Sequence, residues 1–156
     1  MKDLNKKLFA MTLAVVVAFV AVLGISACGS SGSTGGTFAV SGVEAEVNDS
    51  FLVVRLDRTT DDTDWTYTLA NKNGMQAESD EVTSGKDCSG NTTSGVVGNH
   101  AYRFSADEAG EQTITFYYGT DSSKTVTVKV TTGDKGTVKS AEITNGSGET
   151  ATYGVK

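Results

Sequence analysis

The fold is decided by the stretch HAYRFSADEAGEQTITFYYGTDSSKTVTVKV, residues 100–130, in which large apolar side chains recur at every second position. This alternation is typical of strands that are buried on one face and solvated on the other, as antiparallel sheets allow. Polar segments rich in Gly, Asp and Ser separate the runs and indicate turns. The alternating apolar residues are Tyr102, Phe104, Ile114, Phe116, Tyr118, Val126, Val128 and Val130.

The same pattern extends toward the N-terminus, in SFLVVRLD at residues 50–57 and WTYTLA at residues 65–70. No helical periodicity follows residue 27, so each apolar sheet face must be covered by a second sheet. The sequence therefore predicts an all-β, antiparallel β-sandwich of about seven strands. The inward-facing residues of these two runs are expected to be Leu52, Val54, Leu56, Trp65, Tyr67 and Leu69.

The first 36 residues have the composition of a targeting segment and a spacer. Lysines precede an apolar run over residues 8–25, which ends in ISAC and resembles a bacterial lipobox. We therefore expect residues 1–27 to be a lipoprotein signal peptide, Cys28 to be lipidated, and the Gly/Ser-rich residues 28–36 to form a flexible tether. The domain would then be anchored in the bacterial envelope, outside the cytoplasmic membrane. An uncleaved single-pass helix is the alternative.

Charge and residue counts narrow the classes of partner and chemistry. The chain has a net charge of −6, which disfavours nucleic acid and favours a protein, peptide or cationic partner. Besides Cys28 the only cysteine is Cys88, so no disulfide can form within the domain, and we expect a surface thiol. His100 is the only histidine, at a strand entrance, and no nucleophile–base pair or transition-metal cluster is visible. Neither an enzyme nor a cofactor is expected.

The order of features in GVVGNHAYRFSADEAGEQTITFYYGTDSSKTVTVKV, residues 95–130, resembles the C-terminal half of chagasin-type inhibitors of papain-like cysteine peptidases. NDSFLVVRLD at residues 48–57 and DRTTDDTDWTY at residues 57–67 extend the resemblance to about residues 38–131. It implies an immunoglobulin-like sandwich over residues 37–132, whose three loops at one end enter the peptidase cleft as a noncatalytic plug. Residues 133–156 would be a C-terminal tail or an extra hairpin, and we expect a partly ordered tail.

The resemblance also implies which residues would contact the peptidase. In the first loop, two threonines and Trp65 match the family pattern, whereas aspartates replace other members of it. In the second, two glycines match but a valine takes a glycine's place. In the third, the family's Arg-Pro-Trp falls at residues 120–122 and is absent. The implied contact residues are Thr59, Thr60, Asp61, Asp62, Gly95, Val96, Val97, Gly98, Gly119, Thr120, Asp121 and Ser122.

Alternatives remain for these segments. The domain could be a non-inhibitory immunoglobulin-like binding or adhesion module that uses the same end. The aspartates of residues 57–64 could bind calcium, although their spacing does not fit an EF-hand loop, or they could form a solvated turn. Trp65 begins an alternating run, so we expect it to be a core residue beneath the loop.

Overall fold

The computed structural model describes residues 40–70 and 74–156, so the proposed signal peptide, Cys28 and tether lie outside the described residues. Within this described part, no helix is long and apolar enough to span a membrane. In residues 40–70 and 74–156 there is one 3₁₀ turn, Asp134–Gly136, which lies between the last two strands and the rest. The strands are β1 (Val43–Asn48), β2 (Phe51–Arg58), β3 (Trp65–Leu69), β4 (Met75–Ser84), β5 (Gly98–Ala106), β6 (Gly110–Tyr118), β7 (Asp121–Thr132), β8 (Val138–Asn145) and β9 (Thr150–Gly154).

These strands form two sheets, one in the order β1-β2-β5-β4 and the other in the order β3-β6-β7-β8-β9. Every neighbouring pair within a sheet is antiparallel. The predicted all-β antiparallel sandwich is thus confirmed, with nine strands in the described residues instead of about seven. At one side the sheets meet through a bridge between Val47 and Val155, and at the other side β3 and β4 are edge strands that pair with no further strand in the described part of the chain.

The core lies between the alternating faces that the sequence predicted. Leu52, Phe104, Phe116 and Val128 are completely buried, and burial of each such side chain stabilises the fold by roughly 1.5–3 kcal/mol. The rings of Phe104 and Phe116 pack edge to face at 6.0 Å. Tyr67 is only half-buried, because among the described strands β3 pairs with β6 alone and is the edge of its sheet.

The C-terminal segment forms the extra hairpin that was our alternative, and not the partly ordered tail that we expected. β8 pairs with β7, placing Ile143 opposite Val128, and β9 pairs in turn with β8. Val138 and Ile143 are completely buried, so the sandwich extends well beyond residue 132. The sequence signal is weak here because small alanines occupy two of the inward positions, Ala141 and Ala151, where large apolar residues would mark a strand.

β4 also has no clear signal in the sequence. Of its ten residues only Met75 is buried, and the remainder are polar or exposed. Glu78, Asp80 and Glu81, together with a bulge between Ala77 and Ser79, occupy this free edge of the sheet. Charges and bulges on an edge strand prevent pairing with other chains, which explains a strand without alternation.

Candidate functional site

Three loops lie together at one end of the sandwich, which we call the loop end. They are the first loop, residues 59–64, the second loop, residues 85–97, and the third loop, residues 119–120. The strand register places them together, since Arg58 pairs with Gly98 and Trp65 pairs with Tyr118. The turn between β1 and β2 and the corner between β5 and β6 lie at the opposite end.

The first loop is attached to the end of β6, directly before the third loop, by the phenol of Tyr118. This buried hydroxyl accepts hydrogen bonds from the backbone N–H groups of Thr59 and Thr60, at 2.9 and 3.1 Å. Burial by itself would raise the pKa of Tyr118, but hydrogen bonds from the two threonines hold it below its ordinary value. The part of the first loop that resembles the family pattern, Thr59 and Thr60, therefore has a defined shape, although both residues are exposed.

Trp65 lies beneath this first loop as part of the core, which confirms the prediction. Its ring packs against that of Tyr118 with centroids 5.0 Å apart, and its Nε1 donates to the carbonyl oxygen of Asp57 at 2.8 Å. A buried indole needs such an acceptor, and here it comes from the end of β2. Trp65 supports the loop from below and is not part of its exposed surface.

The second loop lies beside the first because its last residue is bonded to β2. Val97 donates to the carbonyl oxygen of Arg58 and accepts from the N–H of Gly85, each at 2.8 Å. The next residue, Gly98, faces the backbone of Thr83 so closely that a Cβ would overlap the carbonyl oxygen. Val96 and Val97 are half-buried, so part of each apolar side chain remains at the surface between the glycines.

Gly95 has a different reason to be glycine. Its φ of +83° lies in the left-handed region, which other residues rarely adopt, and no atom would obstruct a side chain there. Of the two glycines that resemble the family pattern, Gly95 therefore sets the direction of the chain and Gly98 permits close packing of β4 on β5.

The base of the second loop is organised around Asp87, which the sequence did not single out. This buried carboxylate accepts hydrogen bonds from the N–H groups of Ser89 and Asn91, at 3.0 and 2.8 Å, and from the hydroxyl of Thr93. Burial alone would raise the pKa of Asp87, but these three donors hold it below its ordinary value. An aspartate followed by small polar residues is the one sequence signal for such a turn.

Cys88 is buried, so the prediction of a surface thiol is wrong. Its N–H donates to the side chain of Asp57 at 2.6 Å, which fixes the second loop against the outer face of the first sheet. Burial raises the pKa of the Cys88 thiol and also that of Asp57. A thiol in such surroundings is unreactive.

The third loop is a tight turn. Gly119 has a φ of +57° and its N–H donates to the carbonyl oxygen of Asp64 at 3.3 Å, which joins the third loop to the first. Thr120 and Asp121 are exposed, and the Asp121 carboxylate accepts from the N–H and hydroxyl of Ser123, which lower its pKa. Ser122 is described in its backbone only, at the start of β7.

Lys124 places a positive charge at the loop end, a position that the sequence did not predict. Its Nζ lies 3.3 Å from the Thr59 hydroxyl and 5.0 Å above the ring of Tyr118. Such a cation above an aromatic face is attracted by the ring, by about 0.5–1 kcal/mol at an exposed position. The side chain therefore extends from β7 across the third loop to the first.

His100 connects the first loop with the edge of the first sheet. Its ring is buried, with Nδ1 2.8 Å from Asp64 Oδ1 and Nε2 2.8 Å from Asp80 Oδ2. Burial alone would raise the pKa of Asp64, but hydrogen bonds from His100 and from the N–H of Trp65, together with the charge of Arg58, hold it below its ordinary value. His100 is thus a structural residue of the loop end.

The acidic turn divides into supporting and exposed residues. The side chain of Asp57 accepts from the N–H of Cys88, and that of Asp64 is hydrogen-bonded to His100. Asp61 and Asp62, in contrast, are exposed at the tip of the first loop. Within residues 40–70 and 74–156, no three His, Cys, Asp or Glu side chains converge as metal ligands would. The calcium alternative therefore has no cluster of side-chain ligands in this part of the chain.

A comparison with models of protein families identifies the family of this chain. The family model described as Chagasin family peptidase inhibitor I42 matches residues 44–138, from β1 to the first residue of β8, and covers all three loops. No curated protein and no solved structure matches the chain. Members of this family are inhibitors of cysteine peptidases and are not enzymes. The match includes more than half of the sequence, and the chain therefore belongs to the chagasin family of peptidase inhibitors.

Proposed function

We propose that this protein inhibits papain-like cysteine peptidases by inserting the loop end into the catalytic cleft. The carrying observation is that residues 59–64, 85–97 and 119–120, distant in sequence, are bonded into one continuous end of the sandwich. A surface built from three loops can fill a cleft and cover the catalytic cysteine and histidine without presenting an extended peptide for cleavage.

The hydrogen bonds between the loops favour binding because they reduce the entropy lost on association. Thr59 and Thr60 are bonded to Tyr118, Val97 to Arg58, and Gly119 to Asp64 before any partner arrives. Ordering a flexible side chain or loop residue at an interface costs about 0.5–1.5 kcal/mol, so loops that already have their bound shape avoid part of this cost. These bonds restrain the first loop, which contains no proline that would stiffen it.

The apolar contact is expected to come from the second loop. Trp and Arg are the residues that most often dominate interface energies, and the family's Arg-Pro-Trp is absent from residues 120–122. Val96 and Val97 are the partly exposed apolar residues among the implied contacts. We therefore propose that this valine pair supplies the buried centre of the interface, with Thr59, Thr60, Asp61 and Asp62 at its rim.

Inhibition can be measured on the protein from Thr37 onward, which contains all nine described strands. The assay titrates papain and cathepsin-type peptidases with this protein and with Val96→Asp, which places a charge at the proposed centre. Val155→Asp is the matched control, because Val155 is a partly exposed valine near the opposite end. We expect competitive inhibition that Val96→Asp weakens by about tenfold or more and the control leaves unchanged.

Absence of inhibition across several such peptidases would refute this function. The alternative in that case is a non-inhibitory immunoglobulin-like binding or adhesion module that uses the same end of the sandwich. Its partner would be a protein that binds the wild type and does not bind Val96→Asp.

We also propose that the protein is a lipoprotein anchored through Cys28 in the bacterial envelope. The support is the apolar run ending in ISAC and the Gly/Ser-rich residues 28–36 that follow it. Mass spectrometry of the membrane fraction should detect an acylated N-terminal peptide in the wild type and in Cys88→Ser, but not in Cys28→Ser. An acylated Cys28→Ser protein, or an unmodified and unprocessed wild type, would contradict this proposal.

A further inference from the structure

The hairpin of β8 and β9 adds a fourth turn, residues 146–149, to the loop end. The match to the family ends at residue 138, so this turn lies outside the segment that defines the family. Asn145, the last residue of β8, pairs with Val126, the sixth residue of β7. Because β7 begins directly after the third loop, the chain beyond Asn145 continues along the first residues of β7 toward the loop end.

A backbone contact shows this proximity directly. Gly146 packs so closely on the carbonyl group of Ser123 that a Cβ at this position would overlap it. Ser123 in turn donates its N–H and its hydroxyl to the carboxylate of Asp121, at 3.0 and 2.6 Å. The fourth turn is therefore in contact with the bulged start of β7, one hydrogen bond away from the implied contact residue Asp121.

The fourth turn has a fixed shape of its own. Asn145 Oδ1 accepts from the N–H groups of Ser147 and Glu149, each at 3.0 Å, and Asn145 Nδ2 donates to Glu149 Oε2 at 2.7 Å. The same Glu149 oxygen accepts from the N–H of Ser41, where the chain enters β1, at 3.0 Å. Ser147, Gly148 and Glu149 remain exposed, so the turn presents an ordered polar surface.

We propose that residues 146–149 form a fourth element of the peptidase-binding surface, on the side where the third loop has lost its Arg-Pro-Trp. This inference rests on the proposed function. The turn contacts the first residues of β7, which directly follow the third loop, and its serine hydroxyl, exposed backbone and Glu149 carboxylate fit a polar cleft wall that donates hydrogen bonds. In place of the anchoring side chains of the family's Arg-Pro-Trp, the turn offers a broader polar contact. It therefore widens the surface that contacts the peptidase.

The sandwich contains a matched pair of serines for testing this. In the turn between β1 and β2, Ser50 donates its N–H to Asn48 Oδ1 at 3.2 Å, as Ser147 does to Asn145 Oδ1 at 3.0 Å. Both serines are exposed, and they lie at opposite ends of the molecule. Ser147→Trp and Ser50→Trp therefore introduce the same bulk in the same kind of turn, on and off the proposed surface.

Inhibition constants against the peptidase that the wild type inhibits best decide the matter. We expect Ser147→Trp to weaken inhibition by about tenfold or more, and Ser50→Trp to change it by less than about twofold. Wild-type strength in Ser147→Trp would overturn the fourth element while leaving the three-loop function intact. Equal weakening in both variants would also overturn it, since the effect would not depend on position.

Two further arms keep the outcome decisive. If Ser147→Trp does not fold, Ser147→Cys and Ser50→Cys are folded first and then labelled with a bulky maleimide, which the buried Cys88 does not react with. The same difference in inhibition is expected between the labelled proteins. A wild-type protein that inhibits none of the peptidases refutes the proposed function itself, and that result is visible before any variant is made.

Discussion

The phenol of Tyr118 offers the sharpest test of how the loop end is held. Replacing Tyr118 with Phe keeps the ring that packs on Trp65 at 5.0 Å but removes the acceptor for the N–H groups of Thr59 and Thr60. Each intramolecular hydrogen bond contributes about 0.5–1.5 kcal/mol net, and both threonines are exposed enough for water to replace the lost acceptor. The expected loss in the free energy of unfolding is therefore about 1–2 kcal/mol.

The same change should weaken inhibition through the first loop. A loop that is no longer bonded to Tyr118 must be ordered when the peptidase binds, and about 1–2 kcal/mol of ordering corresponds to roughly 5- to 30-fold in the inhibition constant. Urea unfolding measures the stability of the free protein, and titration of the peptidase measures inhibition. Both quantities should fall together in Tyr118→Phe.

Tyr117→Phe is the matched control, because Tyr117 is the neighbouring residue on the opposite, exposed face of β6. It loses the same hydroxyl without touching the first loop, and we expect neither stability nor inhibition to change. If Tyr118→Phe leaves both quantities at wild-type values, or if Tyr117→Phe has the same effect, the phenol does not hold the loop and our reasoning fails.

Three other changes test the fold beneath the loops. Gly98→Ala should lower the free energy of unfolding, measured in urea, by about 1–3 kcal/mol, because the added Cβ overlaps the carbonyl of Thr83. Gly154→Ala is the control and should have little effect, because a Cβ at Gly154 has open space around it. A Gly98→Ala protein as stable as the wild type would contradict the close packing. Ile143→Ala should cost about 2–5 kcal/mol if the C-terminal hairpin is part of one cooperative core, and a second, separate unfolding transition would show that it is not. The pKa of Asp87 is lowered in the folded protein, so its contribution to stability is present above the pKa of an unfolded aspartate, about 3.9, and is lost as the pH falls through the lower folded value. Asp87→Asn should therefore be less stable than the wild type at neutral pH by an amount that shrinks below about pH 4; a difference that grows in acid would refute this.

Where a segment could be predicted, its signal was local. The alternation of Val126, Val128 and Val130 with threonine and lysine required only that one face of a strand be apolar, and all three valines are buried. The sequence gives a weak signal for β4 and for the hairpin of β8 and β9, for opposite reasons. β4 lies at an edge of its sheet and buries almost nothing, whereas β8 and β9 each place a small alanine, Ala141 and Ala151, at a buried position where it carries little hydrophobic signal.

The candidate site shows the same division. Its members were implied by short motifs, and the structure places Thr59, Gly98 and Gly119 at one end, as a plug requires. The supporting roles of Asp87 and Lys124 could not be predicted, since nothing about an isolated aspartate or lysine shows which backbone group or ring it will contact. The burial of Cys88 could not be predicted either, because its polar neighbours in sequence do not show that the loop folds back onto the sheet.

The sequence by itself determined the class of fold, the strands with alternating faces, and membership of the family, because each depends on side-chain patterns within a few consecutive residues. Only the tertiary structure decided that Tyr118, at the end of β6, holds the first loop, that Cys88 is buried, and that residues 146–149 contact the first residues of β7. Those facts depend on strand register and on sheet order. Both are set by pairing between residues far apart in the chain. The order of residues along the chain does not show which distant residues will pair.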